Sequence, residues 1–376
     1  MKIVTSRFVF IFLLTIVLGI PVVFGQSIPL DTAHLNIQAR AHVIENYRGQ
    51  EAIYLQGGAI TLKDIEFLNG TIEFDIFLKE DQAFPGVFFR SQNEEGNAEH
   101  FYVRPHQSGN PDANQAAPRI KGITPWQLYF GTKYSFAYEY RFDDWTHVKI
   151  LVDGDKAQVF LDHASSPNLS WKLFHPAKKG SISIQGGNRT GMHLANIRVD
   201  HQRPTLIDYQ PIERLAIEGL IETWEVSDMF EENRLNDIST IETLIKTRKW
   251  QGSVVVEEGT AANISRIQML RNGEPGNTVF AKIEIVSDRD QIKLFEFGYS
   301  DRVVAILNNE AIYRGTNKWR SRDYRYLGTI GLFDAIYLNL KKGKNTLLMA
   351  VSEDFGGWLI TGKFRNDSGV TIVNPD

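Results

Sequence analysis

From residue 52 onward the chain alternates apolar and polar positions over short runs broken by turn residues. Residues 70–78, GTIEFDIFL, place Ile72, Phe74, Ile76 and Leu78 on one side and Glu73, Asp75 and Phe77 on the other, the period of a half-buried strand. Runs 87–92 and 99–105, joined by a polar loop containing Gly96, repeat the pattern. It turns Val87, Phe89, Phe101 and Val103 toward a core, and Arg90, Gln92, His100, Tyr102 and Arg104 away from it. Further strands are predicted at 146–152, 157–161, 181–185 and 193–199, with Asp153-Gly154 as a hairpin turn. In the second half, strands are predicted at 253–257, 278–287, 291–299, 302–307, 311–314, 330–340, 345–351 and 358–365. Asn308-Asn309 is a tight turn there, and Ile241, Leu244 and Ile245 mark a short helix within 237–250. Many short strands without long amphipathic helices predict an all-β protein of two antiparallel β-sandwich (jelly-roll) domains in tandem. Pro204 and Tyr209-Gln210-Pro211 place the boundary near residue 204, giving domains 27–203 and 204–368.

The first residues depart from this pattern. Lys2 and Arg7 precede an apolar run from Phe8 to Ile20, then Pro21 and the ending Val23-Phe24-Gly25. This is the form of a secretory signal over residues 1–25, and the run is shorter than the roughly 20 residues a spanning helix needs. Cleavage therefore leaves no stable membrane insertion. The chain lacks cysteine, so its 376 residues must rest on hydrophobic cores rather than disulfides. Without Lys2 and Arg7 the chain carries 39 basic and 45 acidic side chains, a net charge of −6, and no long basic run, which argues against nucleic acid as a partner. The expectation is a secreted or periplasmic bacterial protein.

The run GTIEFDIFL, then GVFFR, a tryptophan-led strand from Trp145 with Asp153-Gly154, and HLANIRV together resemble the concanavalin A-like lectin/glucanase fold. Within it, residues 30–202 are most similar to keto-disaccharide-hydrolase-like domains and more distantly to laminin-G modules. The resemblance implies sugar chemistry. In the related glucanases a Glu-x-Asp-x-x-Glu strand supplies two carboxylates flanking the sugar bond. Here Glu73 and Asp75 match, but Leu78 stands at the second glutamate, so the implied catalytic set is incomplete. Residues 205–368 resemble a galactose-binding-like jelly roll through TWEVSDMF, FGYSDRVVAILNNEAIYRG and LNLKKGKNTLLMAVSEDFGGWLITGKF. That fold occurs in carbohydrate-binding modules and in accessory domains of glycosidases.

Sugars are held by charge-assisted hydrogen bonds and by stacking on aromatic rings. Candidate ligand-binding residues are Arg90, His100, Tyr102, Arg104 and His106, with Gln127 and Tyr129 from PWQLYFG, where Trp126, Leu128 and Phe130 share the opposite strand face. The same outward residues equally suit a solvated surface. A second aromatic and guanidinium surface is Trp319, Arg320, Arg322 and Tyr324, equally suited to packing against the first domain. The histidines lack metal-ligand spacing and no cofactor is expected. A structural calcium on loop oxygens such as Asp112 or Asp200 is chemically open. No Ser-His-Asp constellation or phosphate-cradling glycine loop is present. Three readings follow: an exported carbohydrate-binding protein without a complete catalytic set, a glycosidase-type or sugar-modifying enzyme using Glu73 and Asp75, and a scaffold for another exported protein.

Overall fold

A computed structural model describes residues 25–187, 190–270, 276–319, 321 and 329–373. The first half holds β1 (Gln26–Ser27), β2 (Leu35–Gln38), β3 (His42–Tyr47), β4 (Gln50–Gln56), β5 (Ala59–Leu62), β6 (Gly70–Leu78) and β7 (Gly86–Gln92). It continues with β8 (Asn97–Val103), β9 (Asn114–Arg119), β10 (Asp144–Asp153), β11 (Lys156–Leu161), β12 (Leu169–Lys172), β13 (Ser181–Gln185) and β14 (Gly191–Asp200). These form two antiparallel sheets. The large sheet runs β12-β11-β10-β6-β14-β4-β3, with β1 added to β14, and the small sheet runs β2-β5-β13-β7-β8-β9. Alternation places the core as the pattern predicts: Ile72, Phe74, Ile76 and Leu78 of β6 meet Val87, Phe89, Phe101 and Val103 of β7 and β8 between the sheets.

The second half forms an eleven-stranded antiparallel sheet folded into two layers. Its strands are β15 (Thr223–Ser227), β16 (Trp250–Glu257), β17 (Ala261–Asn263), β18 (Thr278–Ser287), β19 (Gln291–Ser300) and β20 (Arg302–Leu307). They continue through β21 (Glu310–Thr316), β22 (Asp334–Leu340), β23 (Gly343–Ser352), β24 (Leu359–Phe364) and β25 (Val370–Val373). Trp224, Ala281 and Met349 of one layer pack on Phe297, Leu338 and Ile360 of the other. The chain is thus all-β, two antiparallel sandwiches in tandem, with a helix α1 (Ile241–Lys246) shorter than the segment expected for it.

Two local expectations shift. The β10–β11 hairpin turns one residue later than Asp153-Gly154: Asp153 pairs with Lys156, and Gly154 alone takes a positive φ of 63°. Residues 124–130 are loop rather than strand, because Pro125 and the reversal at Gly131 (φ 80°) interrupt pairing. Asn308 and Asn309 do take the positive φ values, 50° and 71°, of a tight hairpin.

Candidate functional site

On the outer side of β7 and β8, where alternation placed most of the expected ligand contacts, Arg90, His100 and Tyr102 are buried and Arg104 and His106 half-buried. Arg90 sits in a β-bulge with φ 52°, which breaks the period of two and turns its side chain inward, leaving it 4% exposed. Its guanidinium donates to the carbonyls of Leu68 (2.7 Å) and Gly154 (2.7 Å) and to Asn69 Oδ1 (3.3 Å). The bulge crosses Gly180 so closely that a Cβ there would lie 2.4 Å from the Arg90 carbonyl carbon. His100, 6% exposed, is stacked on Phe88 at 3.8 Å and on Tyr102 at 4.7 Å. Burial, then the Arg119 and Arg104 charges, push its imidazole down to about 3, so it is neutral at physiological pH. Tyr102 donates to Gln115 Oε1 at 2.6 Å. Arg104 is tied to the Tyr102 hydroxyl (2.7 Å), the Asp112 carbonyl (3.0 Å) and Gln115. His106 packs edge-on against Phe84 at 5.2 Å. Behind this face, Glu99 is buried, accepting from the Phe174 and His175 amides. Burial lifts its carboxyl to about 7 against those two hydrogen bonds.

Gln127 and Tyr129 bind the second half of the chain instead of a ligand groove. Gln127, 2% exposed, accepts from the Gly357 amide at 2.7 Å. A Cβ on Gly356 would meet its amide nitrogen at 2.0 Å, so the Gly-Gly pair before Trp358 makes room for it. Tyr129, 1% exposed, donates to Glu257 Oε2 at 2.6 Å, and Arg266 pairs with the same carboxylate at 2.6 Å. Of the expected contacts, Arg90, His100, Tyr102, Gln127 and Tyr129 are therefore buried structural groups. Their burial replaces the exposed position expected of them.

The outer face of the large sheet carries a different arrangement. Three cross-strand rows are set by register. In the first, Arg198 of β14 lies opposite Glu73 of β6, which lies opposite Lys149 of β10. In the second, Asp75 of β6 stands between Ala195 of β14 and His147 of β10. In the third, His193, Phe77 and Trp145 line up. The first row depends on a bulge. Leu194, Ile197 and Val199 all face the core, so one extra residue must intervene. That residue is Asn196, at φ 52°, a conformation asparagine tolerates. The extra residue turns Arg198 outward, where strict alternation from Leu194 would bury it.

Asp75 is the centre of the second row. It accepts from His147 Nδ1 at 2.7 Å and from Asn196 Nδ2 at 2.7 Å. Burial raises its carboxyl, but these hydrogen bonds outweigh it and hold the group below its ordinary value. Asp75 is thus an ionised acceptor that fixes the His147 ring, not a proton donor. Left-handed Asp162 and His163 turn the chain after β11 and lay the exposed His163 ring on His147 at 4.0 Å, interplanar angle 17°. Glu73 pairs with Lys149 at 3.4 Å. Beside these groups lies a depression of about 370 Å³ whose lining includes Leu151, Phe160 and Ile207. Along the third row, the half-buried Tyr47 and Trp145 rings meet Phe77 edge-on at 5.0 and 5.4 Å, and His193 stacks on Tyr47 at 3.6 Å.

No protein-family model and no curated protein matches this chain. Solved structures do. A carbohydrate-binding module from Bacillus subtilis is 12% identical over 44% of this chain and 93% of its own, with a TM-score of 0.31. A pseudo β-1,3-glucanase of Mycobacterium tuberculosis is 14% identical over 47% and 94%, TM-score 0.32. A non-specific endo-β-1,3(4)-glucanase is 8% identical over 47% and 88%, TM-score 0.33.

Of the second expected surface, Trp319 is 41% exposed with its ring 6.5 Å from Phe355, while Arg320, Arg322 and Tyr324 lie outside the described residues. Residues 1–24 of the expected signal lie outside them too. Of the two loop aspartates, Asp112 pairs with Arg104 at 3.7 Å and Asp200 accepts from the Gln202 amide. Among the described residues no group of three or more His, Cys, Asp or Glu is arranged to hold a metal ion, and no helix is long and apolar enough to cross a membrane.

The residues missed by sequence reasoning are His147, His163, Asn196, Arg198 and Tyr47. His147 and Lys149 did carry a signal, since Trp145, His147 and Lys149 alternate with Thr146, Val148 and Ile150. Asn196 and Arg198 carried a fainter one, the phase slip between Leu194 and the pair Ile197 and Val199 that marks the bulge.

Proposed function

We propose that this protein binds carbohydrate on the outer face of the large sheet in its first sandwich. One observation carries the reading: an aromatic row, Tyr47–Phe77–Trp145, runs beside the hydrogen-bonding set Asp75–His147–Asn196. A sugar offers both complements, apolar ring faces for the aromatics and hydroxyls for the polar groups. Glu73 and Asp75 belong to this face, whereas Arg90, His100 and Tyr102 support the sandwich from within. With the leader over residues 1–25, the proposal is of an exported protein whose division near residue 204 separates the binding sandwich from its companion. Glycan-array screening of the mature chain should give binders that Trp145→Ala weakens at least tenfold. A blank array, or binding indifferent to Trp145→Ala and His147→Ala, overturns the proposal.

The Asp75–His147 pair supports a second reading, an enzyme acting on sugars in which His147 accepts a proton while Asp75 holds its ring. Asp75 is no acid partner for a retaining glycosidase, and Leu78 occupies the position of the second glutamate in the core. Product release from a glycan panel, lost in both Asp75→Ala and His147→Ala, is the expected result under this reading. Unchanged release in either variant removes the pair from any mechanism.

A further inference from the structure

We infer that the depression beside Glu73 takes an acidic sugar, with Arg198 as the partner of its anion; this deepens the carbohydrate reading above and rests on it. The argument starts from charge accounting around the depression. Glu73 and Lys149 neutralise each other at 3.4 Å. His147 has committed Nδ1 to Asp75. The Arg198 side chain is exposed and forms no hydrogen bond or ion pair within the described residues. The depression therefore presents one uncommitted guanidinium beside two stacked imidazoles, on a chain whose net charge is −4.

Shape agrees with charge. Leu151 and Phe160 are buried side chains lining the depression, and Ile207 lines it from the segment after β14. That segment is pinned there by Gln158, which accepts from the Ile207 amide at 2.9 Å and donates to its carbonyl at 2.5 Å. An arginine that merely solvates a sheet face needs no hollow of mixed polar and apolar lining at its side. Here Leu151, Phe160 and Ile207 give the hollow an apolar part for a sugar ring, and the guanidinium fork matches a sugar-borne carboxylate or sulfate ester, each of which offers it two anionic oxygens. The Asn196 bulge adds an independent point. A left-handed non-glycine residue within a strand carries a backbone cost, and its consequence is to bring Arg198 to the rim.

The test is calorimetric titration of the mature full-length chain. The ligands are tetramers of galacturonate, glucuronate and mannuronate, the methyl ester of each, and sulfated tetrasaccharides. At least one acidic tetramer should bind tenfold or more tightly than its uncharged counterpart, with affinity falling as salt rises. Arg198→Ala should erase that preference while leaving the urea midpoint unchanged, and Arg198→Lys should restore part of it. A carboxylate preference assigns a uronate and a sulfate preference assigns a sulfate ester; each upholds the inference. Equal affinity for acid and ester, or a preference untouched by Arg198→Ala, overturns the inference and leaves the carbohydrate reading standing. Failure to bind any saccharide, charged or neutral, overturns both.

Discussion

The two outer faces of the first sandwich make an instructive contrast, because each has a bulge with a left-handed residue and an arginine at it or two positions on. On the small sheet the bulged residue is Arg90 itself, and its guanidinium is drawn in to bind backbone carbonyls. On the large sheet the bulged residue is Asn196, and Arg198 two positions on is carried out to solvent. One extra residue in a strand therefore decides whether a cation serves the fold or the surface. Strict alternation does not decide it: counted from Val87 it turns Arg90 outward, and counted from Leu194 it buries Arg198, the reverse of each outcome.

The sharpest way to break this contrast is Arg90→Ala. It removes the buried guanidinium that donates to the part-buried carbonyls of Leu68 and Gly154, and should cost about 3 kcal/mol in urea unfolding. Arg198→Ala should cost less than about 0.5 kcal/mol in the same assay. If the two costs come out alike, the assignment of one arginine to the fold and the other to the surface fails. Gly180→Ala forces a Cβ against the Arg90 backbone and should destabilise by about 2 kcal/mol.

Smaller effects sharpen the picture. Asp75→Asn should cost about 1–2 kcal/mol at neutral pH by weakening the hydrogen bonds to His147 and Asn196. The Asp75 carboxyl lies below its ordinary 3.8 in the folded chain, so its contribution is present above that value and is lost as pH falls through the folded one. The cost of Asp75→Asn should accordingly shrink in urea titrations at pH 3. His100→Phe should leave stability at pH 7 within about 1 kcal/mol of the parent, the ring being stacked and without hydrogen bonds. Between pH 6.5 and about 3, the window in which the unfolded imidazole takes a proton that the buried one refuses, the variant should gain stability relative to the parent. An equal acid loss in both proteins would assign that loss to other groups.

Much of the fold was legible because alternation is a local property. Ile72 to Leu78, Val87, Phe89, Phe101 and Val103 all reached the core as their pattern required, and strands 278–287 and 302–307 keep their expected limits. The candidate site was half legible. Glu73 and Asp75 were visible on β6, but their partners come from β10 and β14, more than seventy residues away in sequence, and only pairing register reveals them. The small-sheet face misled for a different reason. Tyr102 and Arg104 are tied to Gln115, which donates in turn to the Trp126 and Tyr129 carbonyls of loop 120–135, and alternation reports which way a residue points without reporting what lies over it. Gln127 and Tyr129 were hidden in the same way, by a contact with residues 257 and 357.

Glu99 and His100 stand side by side on β8 with opposite burdens. Glu99, lifted to about 7 from an ordinary 4.5, supports the fold in acid and withdraws that support as pH rises. His100, lowered to about 3 from 6.5, does the reverse. Between pH 4.5 and 6.5 the folded and unfolded forms of this pair each hold one proton, so their slopes cancel and the pair gives a plateau with a shoulder on either side. Two neighbouring residues, each costly to bury alone, thus offset one another's response to mild acidification.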